Sequence, residues 1–219
     1  MESVADESCP LCANEGALHF RTVRGRIYYR CPLCRATFLS RRQLPTPEEE
    51  QSRYEEHQND PKDPGYRSFL SRLADPLLER LAPGREGLDF GCGPGPALFE
   101  MLVEAGHRMQ CYDPFFRPET VALERRYDFV TATEVLEHLH EPRKTLSLLD
   151  RLVRPGGLVG VMTEFLTDDS RFDNWYYRRD RTHVIFYGYR TMEVIADQWG
   201  WKLDIPRKNV AIFEKARRP

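Results

Sequence analysis

Residues 88–95 restrict the fold of this chain more than any other stretch. A short apolar run passes into an acid, an aromatic residue and three alternating glycines: Asp89, Phe90, Gly91, Gly93 and Gly95. Glycine allows a sharp turn and a close approach to a ligand because it has no Cβ. The stretch predicts a strand, a loop that cradles a nucleotide-like ligand, and a helix from Pro96 that ends at Gly106.

The spacing of the glycines argues against a dinucleotide site. Nicotinamide enzymes use Gly-x-Gly-x-x-Gly, whereas here the third glycine comes one residue early and Pro96 follows it. Such a loop suits a ligand with one ribose and no phosphate better than a pyrophosphate, which leaves a nicotinamide oxidoreductase as a distant alternative. Residues 108–112 predict a second strand that ends at Asp113, where a carboxylate can accept hydrogen bonds from ribose hydroxyls.

Two later segments, residues 127–139 and 152–162, complete a recognisable order. Together the four segments resemble class I S-adenosylmethionine-dependent methyltransferases over roughly residues 66–214. The resemblance implies an α/β fold: a doubly wound, mostly parallel sheet of seven strands with a C-terminal antiparallel hairpin. Because little chain separates Asp113 from Asp128, we expect an abbreviated third strand around residues 121–123.

The resemblance also assigns cofactor contacts. The residues that it places around S-adenosylmethionine are Tyr66, Asp89, Phe90, Gly91, Gly93, Gly95, Asp113, Pro114, Thr131, Ala132 and Thr133. Asp113 would hold the ribose hydroxyls, and residues 131–133 would lie beside the methyl sulfonium. Packing is the alternative role for Tyr66. The residues that grip the adenine are left unassigned.

Four cysteines near the N-terminus form a second strong motif, Cys9-Pro-Leu-Cys12 and Cys31-Pro-Leu-Cys34. The 18 residues between the two pairs fall within the spacing of a four-thiolate zinc site. Two disulfides or an iron–sulfur centre are the alternatives, and a reducing cytoplasm disfavours the disulfides. Four protein ligands leave no open position, so the zinc would be structural, in a ribbon with strands near residues 18–20 and 26–30.

Composition and the residues that begin or break helices divide the chain into three parts. We predict a zinc ribbon over residues 1–44, a polar linker over 45–65 and a methyltransferase domain over 66–219. In the linker, Thr46 and Pro47 should begin a polar helix over residues 47–60. In the methyltransferase domain, Pro76 should kink or split a leading helix, and Gly200 should end a helix over residues 191–199. The formal net charge of −2 gives no global reason to expect nucleic acid or a membrane as a partner, although residues 21–42 contain seven arginines and no acid. No apolar run approaches about 18 residues, so we expect a soluble, cytoplasmic protein.

The candidate catalytic residues follow the fourth predicted strand of that domain. Glu134, Glu137 and His138 share one face if residues 134–140 are helical. His183 belongs to a later insertion that should cover the same opening of the cofactor site. The pattern is similar to that of metal-dependent O-methyltransferases, in which a Glu-x-x-Glu-His helix and a later histidine bind a divalent metal. The resemblance makes His183, His138 and Glu134 the catalytic candidates. Two alternatives stay open: His183 alone as general base, or a helix cap and packing residues without metal.

The insertion over residues 164–190 is the predicted substrate lid. It is rich in aromatic residues and arginines: Phe172, Trp175, Tyr176, Tyr177, Arg178, Arg179 and Arg181. Such a set favours an anionic or planar substrate through stacking and bidentate contacts. The competing interpretation is a lid whose aromatic rings complete the core while its arginines face solvent.

These observations favour O-methylation of a small-molecule hydroxyl, with metal assistance as a further hypothesis. No acidic-Pro-Pro-aromatic signature of amino-group methylation follows the fourth strand. One alternative is an RNA methyltransferase whose ribbon arginines grip phosphates. Another is a non-catalytic adapter that keeps the cofactor fold and docks a protein through the ribbon.

Overall fold

The computed structural model describes residues 7–56 and 60–217. Its strands are β1 Leu18–Val23, β2 Arg26–Arg30, β3 Thr37–Leu39, β4 Glu86–Phe90, β5 Arg108–Tyr112, β6 Tyr127–Thr133, β7 Val153–Met162, β8 Ile185–Phe186, β9 Trp201–Arg207 and β10 Val210–Lys215. Its α-helices are α1 Pro47–Glu55, α2 Pro64–Leu78, α3 Ala97–Glu104, α4 Pro142–Leu152, α5 Tyr176–Arg179 and α6 Tyr189–Trp199.

The strands form two sheets. The central sheet has the order β5-β4-β6-β7-β10-β9. Its first four strands are parallel, and the β9–β10 hairpin joins β7 in antiparallel fashion. The smaller sheet is antiparallel, with the order β1-β2-β3-β8. The α/β fold with a terminal hairpin and the N-terminal ribbon are therefore confirmed.

The prediction of seven strands in the central sheet is wrong. Within the described ranges this sheet has six, and a 3-10 helix, Thr120–Glu124, replaces the strand expected around residues 121–123. The cause is chain length. Residues 113–126 must carry the chain from β5 across β4 to β6, and a parallel crossover needs about a dozen residues. No chain is left for a further strand.

Local capping explains several helix ends. The Thr46 hydroxyl accepts the Glu49 amide and the Glu49 carboxylate accepts the Thr46 amide, so a capping box starts α1 as predicted. The predicted linker helix extended to residue 60, but α1 ends at Glu55, and residues 57–59 lie outside the described ranges. The helix that was predicted to be kinked or split at Pro76 is not split, because α2 continues through this residue. Gly200, at φ +65°, ends α6 as expected.

Hydrophobic side chains fill both faces of the central sheet. On one face α2 and α3 pack against the sheet through residues such as Leu73, Leu102 and Phe129. On the other face the core is continuous from α4 and α6 into the ribbon and the insertion, including Phe38 and Phe186. The ribbon therefore shares a core with the insertion. None of the helices in the described ranges is long and apolar enough to cross a membrane.

Candidate functional site

The glycine loop follows β4 and has the backbone that its sequence predicts. Gly91 and Gly93 adopt φ values of +74° and +64°, in the region where other residues are strained. The Gly91 amide donates to the carbonyl of Tyr112 at 2.7 Å. A Cβ on Gly91 would lie 2.4 Å from a methyl carbon of Val135, whereas one on Gly93 would meet no atom within 4 Å.

Two carboxylates organise this loop. Asp113 accepts the Gly93 amide on one oxygen at 2.9 Å and the amides of Phe115 and Phe116 on the other, at 2.9 and 3.1 Å. Asp89 lies buried beneath the loop and accepts the Thr131 hydroxyl at 2.8 Å. Burial raises the pKa of Asp89 to about 6. Asp113 therefore ties the glycine loop to the end of β5, where its predicted ribose contact remains a prediction.

A cavity of about 1990 Å³ opens above the loop, which exceeds the roughly 300–1,000 Å³ of a typical small-molecule site and leaves room for a cofactor and an acceptor together. The predicted cofactor residues that line it are Tyr66, Phe90, Gly91, Gly93, Asp113, Pro114 and Thr133. Those that do not line it are Asp89, Gly95, Thr131 and Ala132.

Sequence reasoning missed part of the cavity wall. Phe115 and Phe116 line the cavity directly after Pro114, and Tyr54 of α1 packs edge-on against Phe115 with ring centroids 5.3 Å apart. These rings are candidates for the adenine contact that the resemblance left unassigned. In the sequence, the two aromatic residues immediately after Asp113 and Pro114 are the feature that could have indicated this contact.

The wall of the same cavity contains the candidate catalytic residues Glu134, His138 and His183. The helix predicted over residues 134–140 is wrong: only a 3-10 helix, Leu136–His138, forms, and Glu134 precedes it at φ +53°. Residues of the lid donate hydrogen bonds to backbone carbonyls that a longer helix would use. The Tyr187 hydroxyl donates to the Leu136 carbonyl at 2.9 Å, and the Val184 amide donates to the Glu137 carbonyl at 2.8 Å.

Tertiary packing gathers three of the four predicted metal ligands. Donor atoms of Glu137, His138 and His183 all lie within 4.8 Å of one another, and Glu134 is outside this group. The His138 and His183 ring centroids are 4.6 Å apart. The Nδ1 of His138 lies 3.1 Å from the Thr182 carbonyl, which can only accept, so Nδ1 carries the proton. In the neutral ring Nε2, 4.0 Å from the Glu137 carboxylate, then carries the lone pair that a metal would require.

The electrostatics of this cluster suit a cation. Burial raises the pKa of Glu137 to about 7, against the opposing effect of the nearby Tyr177 and Thr163 hydroxyls. Burial and then the charge of Glu137 raise the pKa of Glu134 to about 9. Within the described ranges neither carboxylate oxygen of Glu137 has a hydrogen bond of ordinary geometry. A bound divalent cation would stabilise the ionised form of Glu137 and give its carboxylate oxygens a partner, so these residues fit a metal.

The lid uses most of its aromatic residues for packing. Phe172, Trp175 and Tyr177 are buried in the shared core. Arg178 is also buried and donates to the carbonyls of Phe172 and Asp173. The packing interpretation therefore describes Phe172 and Trp175. Tyr177 and Arg178 also line the cavity, together with the exposed residues Tyr176, Arg179 and Arg181.

The four N-terminal cysteines form a compact cluster that fits zinc. Its members are Cys9, Cys12, Cys31 and Cys34, all of them free thiols. Sulfurs of Cys9 and Cys34 are 3.6 Å apart, and those of Cys12 and Cys31 are 3.5 Å apart. A tetrahedral zinc with Zn–S of about 2.3 Å requires about 3.8 Å, far more than a disulfide allows. The two knuckles have the same backbone hydrogen bond. The Ala13 amide donates to the Cys9 carbonyl, and the Arg35 amide donates to the Cys31 carbonyl.

A family match now identifies the class of protein. Residues 65–204 match the model of a methyltransferase domain family. This match covers more than half of the chain, so the chain belongs to that family. The matched region is an S-adenosylmethionine-dependent methyltransferase domain. It contains the glycine loop and most of the residues that line the cavity, although residues of the ribbon and of α1, such as Arg26 and Tyr54, line the cavity as well.

Part of the chain is similar to curated O-methyltransferases. A ubiquinone biosynthesis O-methyltransferase from Methylobacterium sp. (strain 4-46) is 32% identical over 41% of this chain and 45% of its own length. One of the same name from Klebsiella pneumoniae (strain 342) is 31% identical over 35% of this chain and 32% of its own length. The chain thus spans less than half of the length of these relatives.

Solved structures confirm the fold. The 1,6-didemethyltoxoflavin-N1-methyltransferase from Burkholderia thailandensis, with bound 1,6-didemethyltoxoflavin and S-adenosylhomocysteine, has a TM-score of 0.56 at 16% identity, over 91% of this chain and 100% of that one. An O-methyltransferase family protein from the same organism has a TM-score of 0.51 at 15% identity, over 78% of this chain and 64% of that one. At such identities the likeness shows the fold alone.

Proposed function

We propose that this protein methylates the hydroxyl oxygen of a small molecule, with Glu137, His138 and His183 holding a divalent cation beside the acceptor. The family supplies the reaction class, and the distant O-methyltransferase relatives favour oxygen as the acceptor atom. The observation that carries the proposal is the grouping of one carboxylate and two imidazoles within 4.8 Å. Both imidazoles line the cavity that also contains the glycine loop.

The donor set supports a transition-metal ion. Two imidazole nitrogens and one carboxylate oxygen suit such ions and leave coordination positions open for a substrate. When bound, such a cation would lower the pKa of an acceptor hydroxyl. The Tyr177 ring, 4.2 Å from the His183 ring between centroids, holds that imidazole in place, and the Tyr177 hydroxyl is itself held by Thr163 at 2.9 Å.

The other residues of the cavity position the two reactants. The glycine loop binds the cofactor in the cavity, whose wall also contains His138, His183 and Tyr176 of the lid. Methyl transfer between two reactants held in this way needs mainly proximity and orientation. Without a cation, His183 is the remaining candidate to accept the hydroxyl proton.

The arginines of the ribbon are the residues that an RNA substrate would use. Arg30 pairs with Asp169 of the lid at 2.5 Å, and Arg26 donates to the carbonyl of Arg181 at 2.9 Å. These two arginines are engaged by the lid, whereas the other five are exposed: Arg21, Arg24, Arg35, Arg41 and Arg42. An RNA substrate would produce a steep loss of affinity with added salt, and a salt titration with single-stranded RNA tests this alternative directly.

Metal binding can be tested without knowing the acceptor. We expect isothermal titration of the zinc-loaded protein with Mn²⁺ to detect one site that is lost in Glu137→Gln and in His183→Ala. The matched control is His19→Gln, because His19 is exposed on β1 and distant in sequence from the cluster. Equal Mn²⁺ binding in all four proteins would refute the site.

Catalysis requires a second measurement. Transfer of a labelled methyl group from S-adenosylmethionine to a panel of phenolic and aliphatic hydroxyl compounds should fall on chelation while the zinc content is verified as unchanged. Transfer that is insensitive to chelation would assign the proton to His183 instead. Transfer to amines alone would refute O-methylation.

A further inference from the structure

The sheet of the ribbon ends on a strand from the lid. Thr37 and Phe38 of β3 pair with Phe186 and Ile185 of β8, and the Leu39 amide donates to the carbonyl of Val184 at 2.8 Å. In sequence, β3 begins three residues after Cys34, and β8 begins two residues after His183. Only a short stretch of paired backbone therefore separates the thiol cluster from the imidazole.

Side chains reinforce this strand pairing. Phe172 of the lid packs edge-on against Tyr28 and Phe20 of the ribbon, with ring centroids 4.9 and 5.2 Å away. The Arg30 guanidinium lies 3.7 Å from the centroid of the Phe20 ring and pairs with Asp169 at 2.5 Å. The Arg30 side chain is only 10% exposed and that of Asp169 is 49% exposed, so the ion pair is shielded from water on the Arg30 side alone.

The lid continues directly into the catalytic cluster. Hydrogen bonds from residues 182–187 reach each residue of the 3-10 helix: Thr182 contacts His138, Val184 contacts Glu137 and Tyr187 contacts Leu136. The same short segment contains His183. A shift of β8 would therefore change the separation of His183 from Glu137 and His138.

We infer that the zinc ribbon is a positioning part of the active site. Thiolates closed around zinc fix β3, β3 fixes β8, and β8 sets His183 against Glu137 and His138. Arg30 and Asp169 are positioning residues that support the same arrangement. The glycine loop lies outside this path, because it connects β4 of the central sheet to α3. Loss of zinc should therefore disturb the cluster of Glu137, His138 and His183 and spare cofactor binding at the glycine loop.

Histidine imidazole resonances test this inference on the full-length protein. With carbon-13-labelled histidine, assigned by single His→Gln variants, release of zinc should shift the signals of His138 and His183. The signal of His107 is the internal control, because His107 packs against Phe129 of the central sheet, and it should not move. Affinity for S-adenosylhomocysteine, measured by calorimetry on the same sample, should be unchanged.

Two outcomes of the zinc experiment would overturn the inference. Unchanged His138 and His183 signals after zinc release would show that the ribbon does not position them. Loss of S-adenosylhomocysteine binding together with a shift of His107 would show that zinc supports the whole fold, which contradicts a local path.

An ion-pair variant tests the same path with zinc in place. Asp169→Asn should shift the His183 signal and speed amide exchange in the lid, while metal analysis still finds one zinc per chain. Glu193→Gln is the matched control, because its partner Arg190 is exposed and the pair lies within α6. An Asp169→Asn protein with the His183 signal and lid exchange of the wild type would refute the positioning role of this pair.

Discussion

Replacing Gly91 with alanine tests how the glycine loop is built. At φ +74° an alanine is strained, and its Cβ would also lie 2.4 Å from Val135. Left-handed backbone costs a residue with a Cβ roughly 1–2 kcal/mol. Overpacking of this kind costs about 1–3 kcal/mol. The two penalties together predict a loss of about 2–5 kcal/mol in the free energy of unfolding.

Gly200 supplies a control that separates the two penalties. It ends α6 at φ +65°, and a Cβ there would meet no atom within 4 Å. Gly200→Ala should therefore cost only the backbone penalty of about 1–2 kcal/mol. Val135→Ala in the Gly91→Ala background should recover much of the difference, because it removes the two methyl carbons nearest the new Cβ.

Urea denaturation monitored by circular dichroism gives the stabilities, and calorimetry gives the affinity for S-adenosylhomocysteine. The affinity should fall in Gly91→Ala and stay at the wild-type value in Gly200→Ala. If Gly91→Ala and Gly200→Ala lose equal stability, or if Val135→Ala gives no recovery, the clash does not exist and the account of the loop is wrong.

Two further predictions concern titration and capping. Since burial raises the pKa of Glu137 from its ordinary 4.5 to about 7, the native state holds this proton longer than the unfolded state. Without added divalent metal, stability should therefore fall as pH rises from 4.5 to 7. Glu137→Gln should flatten this dependence in urea midpoints, and an unchanged slope would contradict it. Thr46→Ala removes the capping box of α1 and should cost about 1 kcal/mol, measured as faster amide exchange in α1; Ser52→Ala, on the exposed face of the same helix, should have no such effect.

Local chemistry explains the features of the fold that were predictable. The two Cys-Pro-Leu-Cys pairs predicted the thiol cluster because each knuckle is set by a few neighbouring residues. The glycine loop was predictable for the same reason, since Gly91 and Gly93 provide the positive φ values that the turn requires. Thr46 and Gly200 marked helix ends through hydrogen bonds within one turn.

The catalytic end was only partly predictable. Glu137, His138 and His183 were named from their pattern, but the helix that was to align them does not form. The lid competes for the carbonyls of residues 136 and 137, and no local signal reports a competitor that lies about fifty residues away in sequence. The aromatic residues of the lid were ambiguous for a similar reason, because Trp175 and Tyr177 serve packing or binding equally well by residue type.

The sequence by itself determined the class of protein, the cofactor loop, the thiol cluster and most of the strands, because each depends on residues close together in the chain. Tertiary structure decided the number of strands in the central sheet, the 3-10 helix at the acceptor end and the union of the ribbon with the lid. These depend on pairings such as Phe38 with Ile185, whose two partners each look ordinary alone. Their stabilising energy belongs to the pair, so it becomes visible only when the folded chain brings both partners together.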